Sequence, residues 1–134
     1  MRIVLDTNVL VSGLLNPNGA PGRLIDLFLG RHVTLLYDDR ILGEYDDVLA
    51  GPQLNIARDL AVAILSFLRL TGERVTALPL PADLLPDPDD LPFAEVAISG
   101  NANAVVTGNL KHFKGLGSYG IEVILPARFI EQLT

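Results

Sequence analysis

The chain has 134 residues, 49% of them hydrophobic, which is enough for one domain, 1–134, with its own core. It has no cysteine, which excludes disulfides, thiolate metal sites and cysteine nucleophiles and leaves oxygen and imidazole as the available metal ligands. Sixteen acids against ten Lys and Arg give a net charge of −6, the wrong sign for gripping phosphates unless the acids gather around a cation that reverses the local charge. Met1-Arg2 runs straight into a strand-like segment and no apolar run approaches twenty residues, so the expectation is a cytoplasmic protein with no membrane partner.

Ile3 to Leu5 is a short apolar run ending at Asp6, and Val33 to Leu36 is a second, ending at Tyr37-Asp38; both read as buried parallel strands. Between them, Gly22 to Gly30 sets Leu24, Ile25, Leu27 and Phe28 at helical spacing, with Gly30 as a stop. Asp38 or Asp39 can cap a helix whose stripe is Ile41, Leu42, Tyr45, Val48 and Leu49, with Glu44 at the edge of that face. Leu54 to Leu70 continues as a long helix, and Arg74 to Leu78 reads as a third strand. Pro79 to Pro92, broken by prolines and rich in Asp, reads as a loop that closes on Asp87-Pro88-Asp89-Asp90. Phe93 to Ser99 is helical, Ala104 to Val106 is a strand ending at Thr107-Gly108-Asn109, and Glu122 to Leu125 is the last strand. Strands alternating with helices imply a parallel sheet covered on both faces through right-handed crossovers, with ligands beyond the carboxyl ends of the strands.

Two polar clusters stand at such ends, Asp6-Thr7-Asn8 and Thr107-Gly108-Asn109. Asp6, Asn109 and Asp90 could equally be N-caps of the helices that follow, since Asp and Asn are favoured there and Pro92 sits in the first turn after Asp90. Glu44 could be a solvated glutamate, and Glu95 could serve the site from a second layer or favour a helix N-terminus through its dipole. If Asp6, Glu44 and Asp90 converge, their mutual repulsion calls for a hard cation, Mg²⁺ or Mn²⁺, and phosphodiester hydrolysis is the chemistry such a site serves. His32 and His112 read as surface or partly packed residues. Arg2, Arg23, Arg40 and Lys111 are the nearest candidates for phosphate contacts. No Gly-rich phosphate loop is present, Gly115-Leu116-Gly117 being too short.

The blocks Ile3-Val4-Leu5-Asp6-Thr7-Asn8-Val9-Leu10, Ile41-Leu42-Gly43-Glu44-Tyr45, Asp87-Pro88-Asp89-Asp90-Leu91-Pro92-Phe93 and Ala104-Val105-Val106-Thr107-Gly108-Asn109 occur in this order over nearly the whole chain. Together they resemble the PIN-domain family, in particular its branch of toxin components from toxin-antitoxin pairs. The resemblance implies a three-layer α/β/α PIN-like domain with a five-stranded parallel sheet. It also implies a Mg²⁺- or Mn²⁺-dependent endoribonuclease acting on RNA, frequent homodimers and a cognate antitoxin protein as partner. Carried over by motif, Asp6, Glu44 and Asp90 are the catalytic and metal-binding carboxylates. Asn109 takes the position where the family often has a fourth acid, and Thr7, Asn8, Glu95 and Thr107 stand behind them. That Asn leaves a second reading open, a catalytically impaired PIN-fold module that binds RNA or protein.

Overall fold

A computed structural model describes residues 1–133. Strands β1 Arg2–Leu5, β2 Thr34–Tyr37, β3 Glu73–Arg74, β4 Ala104–Val106 and β5 Glu122–Ile124 form one sheet in the order β3-β2-β1-β4-β5, every neighbouring pair parallel. The helices are α1 Thr7–Leu15, α2 Ala20–Leu29, α3 Asp39–Leu49, α4 Arg58–Thr71, α5 Leu91–Ser99 and α6 Pro126–Leu133. Short 3₁₀ segments lie at Pro52–Leu54 and Pro88–Asp90, and a longer one, kinked at Phe113, runs from Leu110 to Tyr119.

Successive strand residues face opposite sides of a sheet, so a strand buried at every position must be covered twice. Ile3, Val4 and Leu5 in β1 and Ala104, Val105 and Val106 in β4 are all buried, which is why the segments are continuously apolar and why the architecture is three-layered. Helix α5 packs on β1, β2 and β4, while α3 and α4 pack on β2. From β1 the chain moves outward to β2 and β3 and then returns to lay β4 and β5 on the other side of β1. The winding direction therefore reverses between β1 and β4, and the crevice at their carboxyl ends is the switch point where such sheets bind ligands.

Three expectations from the sequence need correction. The third strand is only Glu73–Arg74, not Arg74 to Leu78. It is an edge strand paired with β2 alone, and the chain leaves the sheet after Val75, with the Leu78 N–H turned to the Ser99 hydroxyl. The long helix starts at Arg58 and not Leu54, because Pro52–Leu54 forms a separate 3₁₀ turn closed by Asn55 in the left-handed conformation, φ 53°. The last strand stops at Ile124, since Pro126 opens α6.

Candidate metal centre

Register places the first two groups. Leu5 pairs with Val106, so the next residues, Asp6 and Thr107, leave the sheet side by side, and the Asp6 N–H donates to the Val106 carbonyl at 3.0 Å. Both side chains are buried, and the Thr107 hydroxyl donates to Asp6 Oδ2 at 2.7 Å. The Asn109 N–H in turn donates to that hydroxyl oxygen at 3.1 Å, which fixes the direction in which Thr107 gives its proton. Glu44 arrives from α3 and is bound through Oε2 by the Thr7 hydroxyl, from the first residue of α1. Its neighbour Tyr45, fully buried, donates its hydroxyl to the Leu5 carbonyl, the last peptide before Asp6, and so ties α3 to the end of β1. Burial, then the charges of Asp6 and Glu44, push the Tyr45 phenol well above its ordinary value, so it stays a donor.

Asp90 closes the 3₁₀ turn Pro88–Asp90 and precedes α5. Burial pushes its carboxyl up to about 6, helped by the charges of Asp6, Asp87 and Glu44 and opposed by His112. The three acids therefore sit in one another's field. His112 Nδ1 lies 3.2 Å from Asp90 Oδ2, yet that oxygen is buried without a well-directed hydrogen bond.

Geometry separates these acids from ordinary helix caps. Asp6, Asp90 and Asn109 each occupy an N-cap position, and none makes a side-chain cap bond. By contrast, Asp38 caps α3 by accepting from the Ile41 N–H, and Asp87 caps its turn by accepting from the Asp89 N–H. Asp38 and Asp87 are thus spent on the elements they open, whereas the Asp6 and Asp90 carboxylates make no cap bond to the helices they precede.

The remaining candidates are distributed unevenly. Glu95 is buried but committed elsewhere, with Oε1 paired to Arg40 at 2.7 Å and Oε2 accepting from the Leu80 N–H at 2.9 Å. Asn8 and Asn109 have exposed side chains beside the crevice segments. Arg2 and Arg40, expected as phosphate contacts, are consumed by the protein: Arg2 by Glu73 and the Gly100 and Asn101 carbonyls, Arg40 by Asp38 and Glu95. His112 is the residue that sequence reasoning passed over, because only the fold brings it to Asp90. The hydroxyl of Tyr45 was likewise invisible, although a tyrosine within a buried stripe signals that its oxygen needs a partner.

A hard divalent cation fits this donor set. Asp6 and Glu44 each give one oxygen to a threonine and keep the other free of any recorded protein partner, and Asp90 holds a buried oxygen without a directed bond. Among the described residues no three acids or histidines are grouped as a ready-made coordination sphere, so an ion held by all three carboxylates would have to draw their side chains together. No helix among the described residues is long and apolar enough to cross a membrane.

The sequence profile of a family described as "PIN domain" matches residues 2–111. An uncharacterized protein of Methanocaldococcus jannaschii is 27% identical over 142 residues, covering 98% of this chain and 91% of that protein. Among solved structures, FitAcB from Neisseria gonorrhoeae aligns with a TM-score of 0.63 at 21% identity, over 93% of this chain and 98% of the other. VapBC2 from Rickettsia felis, bound to a DNA fragment from its promoter, aligns with a TM-score of 0.57 at 19% identity, over 93% and 98%. FitAB bound to the IR36 DNA fragment aligns with a TM-score of 0.63 at 20% identity, over 92% and 94%. At these identities the structural likeness is one of fold.

Proposed function

We propose that this chain, which belongs to the PIN-domain family, is a metal-dependent endoribonuclease whose Asp6, Glu44 and Asp90 hold Mg²⁺ or Mn²⁺, with Asn109 beside them. The observation that carries the reading is the set of three acids at the switch point, none of them spent as a helix cap. A bound divalent ion supplies an acidified water and neutralises charge on a phosphodiester under attack. The protein's part is orientation. Thr107 and Thr7 fix one oxygen of Asp6 and of Glu44, so that the other stays presented, and Tyr45 sets the spacing between the two segments. Asp90, its carboxyl pushed up to about 6 chiefly by burial, would hold the ion as a carboxylate, so that a proton and the ion would compete for it.

The likenesses to FitAcB, VapBC2 and FitAB support a place in a toxin-antitoxin pair, with this chain as toxin, a small antitoxin as partner and a homodimer as its own state. A basic segment of such a partner suits the acidic crevice. The test is cleavage of single-stranded RNA by the purified chain in Mn²⁺, with EDTA as control; no turnover at any protein concentration defeats the reading. One observation favours a second reading: Asn109 stands where the family often has an acid, which suits a module that binds RNA or protein without cleaving. Mn²⁺ binding does not separate the two readings, because an inactive site can still hold the ion; turnover does.

A further inference from the structure

We infer that Lys111 and Lys114 form a phosphate-holding ledge along which a single-stranded nucleic acid leaves the carboxylate crevice. The inference rests on the nuclease reading and assigns the substrate's path. Of the cations, Arg2, Arg40, Arg58, Arg74 and Arg128 are held in ion pairs with Glu73, Asp38 and Glu95, Asp46, Asp39 and Glu131. Their fields are largely cancelled at short range. Arg31 precedes β2 and Arg69 precedes β3, so both sit at the amino edge of the parallel sheet, opposite the crevice. Arg23 lines a cavity with Asp26, Leu27 and Ile130, between α2 and α6.

Lys111 and Lys114 differ on both counts. They flank His112, which lies 3.2 Å from Asp90 and so holds their segment beside the carboxylates, and neither lysine has an ion pair among the described residues. They also belong to a stretch, 96–121, with no Asp or Glu in an otherwise acidic chain. Their segment is fastened to the crevice at several points: the Asn109 N–H to Thr107 at 3.1 Å, His112 to Asp90 at 3.2 Å, and Gly115 against the loop before Asp90. A Cβ on Gly115 would stand 2.9 Å from the Leu84 carbonyl oxygen, so the contact needs glycine. Phe113 and Leu116 are buried and leave both lysines exposed. The surface beside the acids is thus the one place at this edge, among the described residues, where phosphates meet uncancelled positive charge. A strand whose scissile bond lies at the carboxylates would rest its neighbouring phosphates there.

The test is the salt dependence of binding a labelled single-stranded RNA of mixed sequence, with Ca²⁺ in place of Mn²⁺ and the probe's integrity checked on a gel. Each lost phosphate contact reduces the steepness of log affinity against log salt by about 0.7. Lys111→Gln with Lys114→Gln should lower it by about 1.4 and weaken binding roughly tenfold or more at low salt. Arg31→Gln with Arg69→Gln should leave the steepness unchanged, and Mn²⁺ affinity measured by calorimetry should be the same in all variants. An unchanged slope in the lysine variant, or an equal loss in the arginine variant, overturns the ledge. So does loss of binding to polyglutamate with RNA binding intact, which would assign the surface to an acidic protein segment. Wild type that cleaves RNA while the slope stays fixed defeats the ledge alone. Wild type that never cleaves defeats the nuclease reading, and the slope still decides the ledge.

Discussion

Replacing Asp90 by Asn in the metal-free protein is expected to raise the melting temperature at pH 7.5. Burial and the charges of Asp6, Asp87 and Glu44 lift the Asp90 carboxyl from 3.8 to about 6, with the opposing pull of His112 already contained in that net rise. A rise of that size corresponds to about 3 kcal/mol of unfavourable interaction with the charged form. The side chain is still 17% exposed, at a crevice open to water and salt, so screening cuts this to about 1–1.5 kcal/mol. The folded chain holds its proton more tightly than the unfolded chain. Wild type therefore loses stability as pH rises between about 4 and 6 and stays at the lower level above that window, while Asp90→Asn does not. For a domain of this size the gain is about 3–6 °C in EDTA at pH 7.5, vanishing near pH 4. Added Mn²⁺ should reverse the order, since only the protein that binds the ion is stabilised by it. The assay is differential scanning fluorimetry across pH with and without Mn²⁺. An Asp90→Asn protein that melts below wild type in EDTA, or a difference that persists unchanged at pH 4, refutes the electrostatic coupling of the three acids.

If Asp6 and Glu44 are the ion's ligands as proposed, Asp6→Asn and Glu44→Gln should each lower Mn²⁺-dependent RNA cleavage on the order of 100-fold or more, with circular dichroism unchanged. Mn²⁺ affinity should fall as pH drops below about 6, by up to tenfold per pH unit, because a proton on Asp90 competes with the ion; calorimetry in buffers of different ionisation enthalpy would register the released proton. Tyr45→Phe keeps the buried ring but leaves the Leu5 carbonyl without its donor, and urea unfolding should show a loss of about 1–2 kcal/mol. Asn109→Asp adds a charge at the crevice edge and is expected to tighten Mn²⁺ binding about tenfold, the Coulomb gain being mostly offset by desolvation and repulsion; equal affinity in both proteins would leave Asn109 a turn residue.

What could be read from the sequence follows from where the physics is local. The central strands were legible because burial on both faces demands unbroken apolar runs, as in Ile3-Val4-Leu5 and Ala104-Val105-Val106. The edge strand was not: Glu73–Arg74 is exposed and held by pairing with β2, and Val75 to Leu78 carries a strand-like pattern without a second neighbour to extend it. In the crevice the residue types could be named but not their duties, since an Asp before a helix looks the same whether it caps or waits for a cation. Only the partner atoms separate Asp38 and Asp87, whose side chains accept from helix N–H groups, from Asp6, whose side chain turns to Thr107 across the sheet. The same limit applies to charge. A net −6 argued against phosphate binding as long as every cation counted alike. Once Arg2 and Arg40 are seen to be bound to the protein's own acids and Lys111 and Lys114 are not, the quantity that would govern the approach of a phosphate-bearing ligand is the uncompensated charge beside the carboxylates, which no sum over the sequence contains.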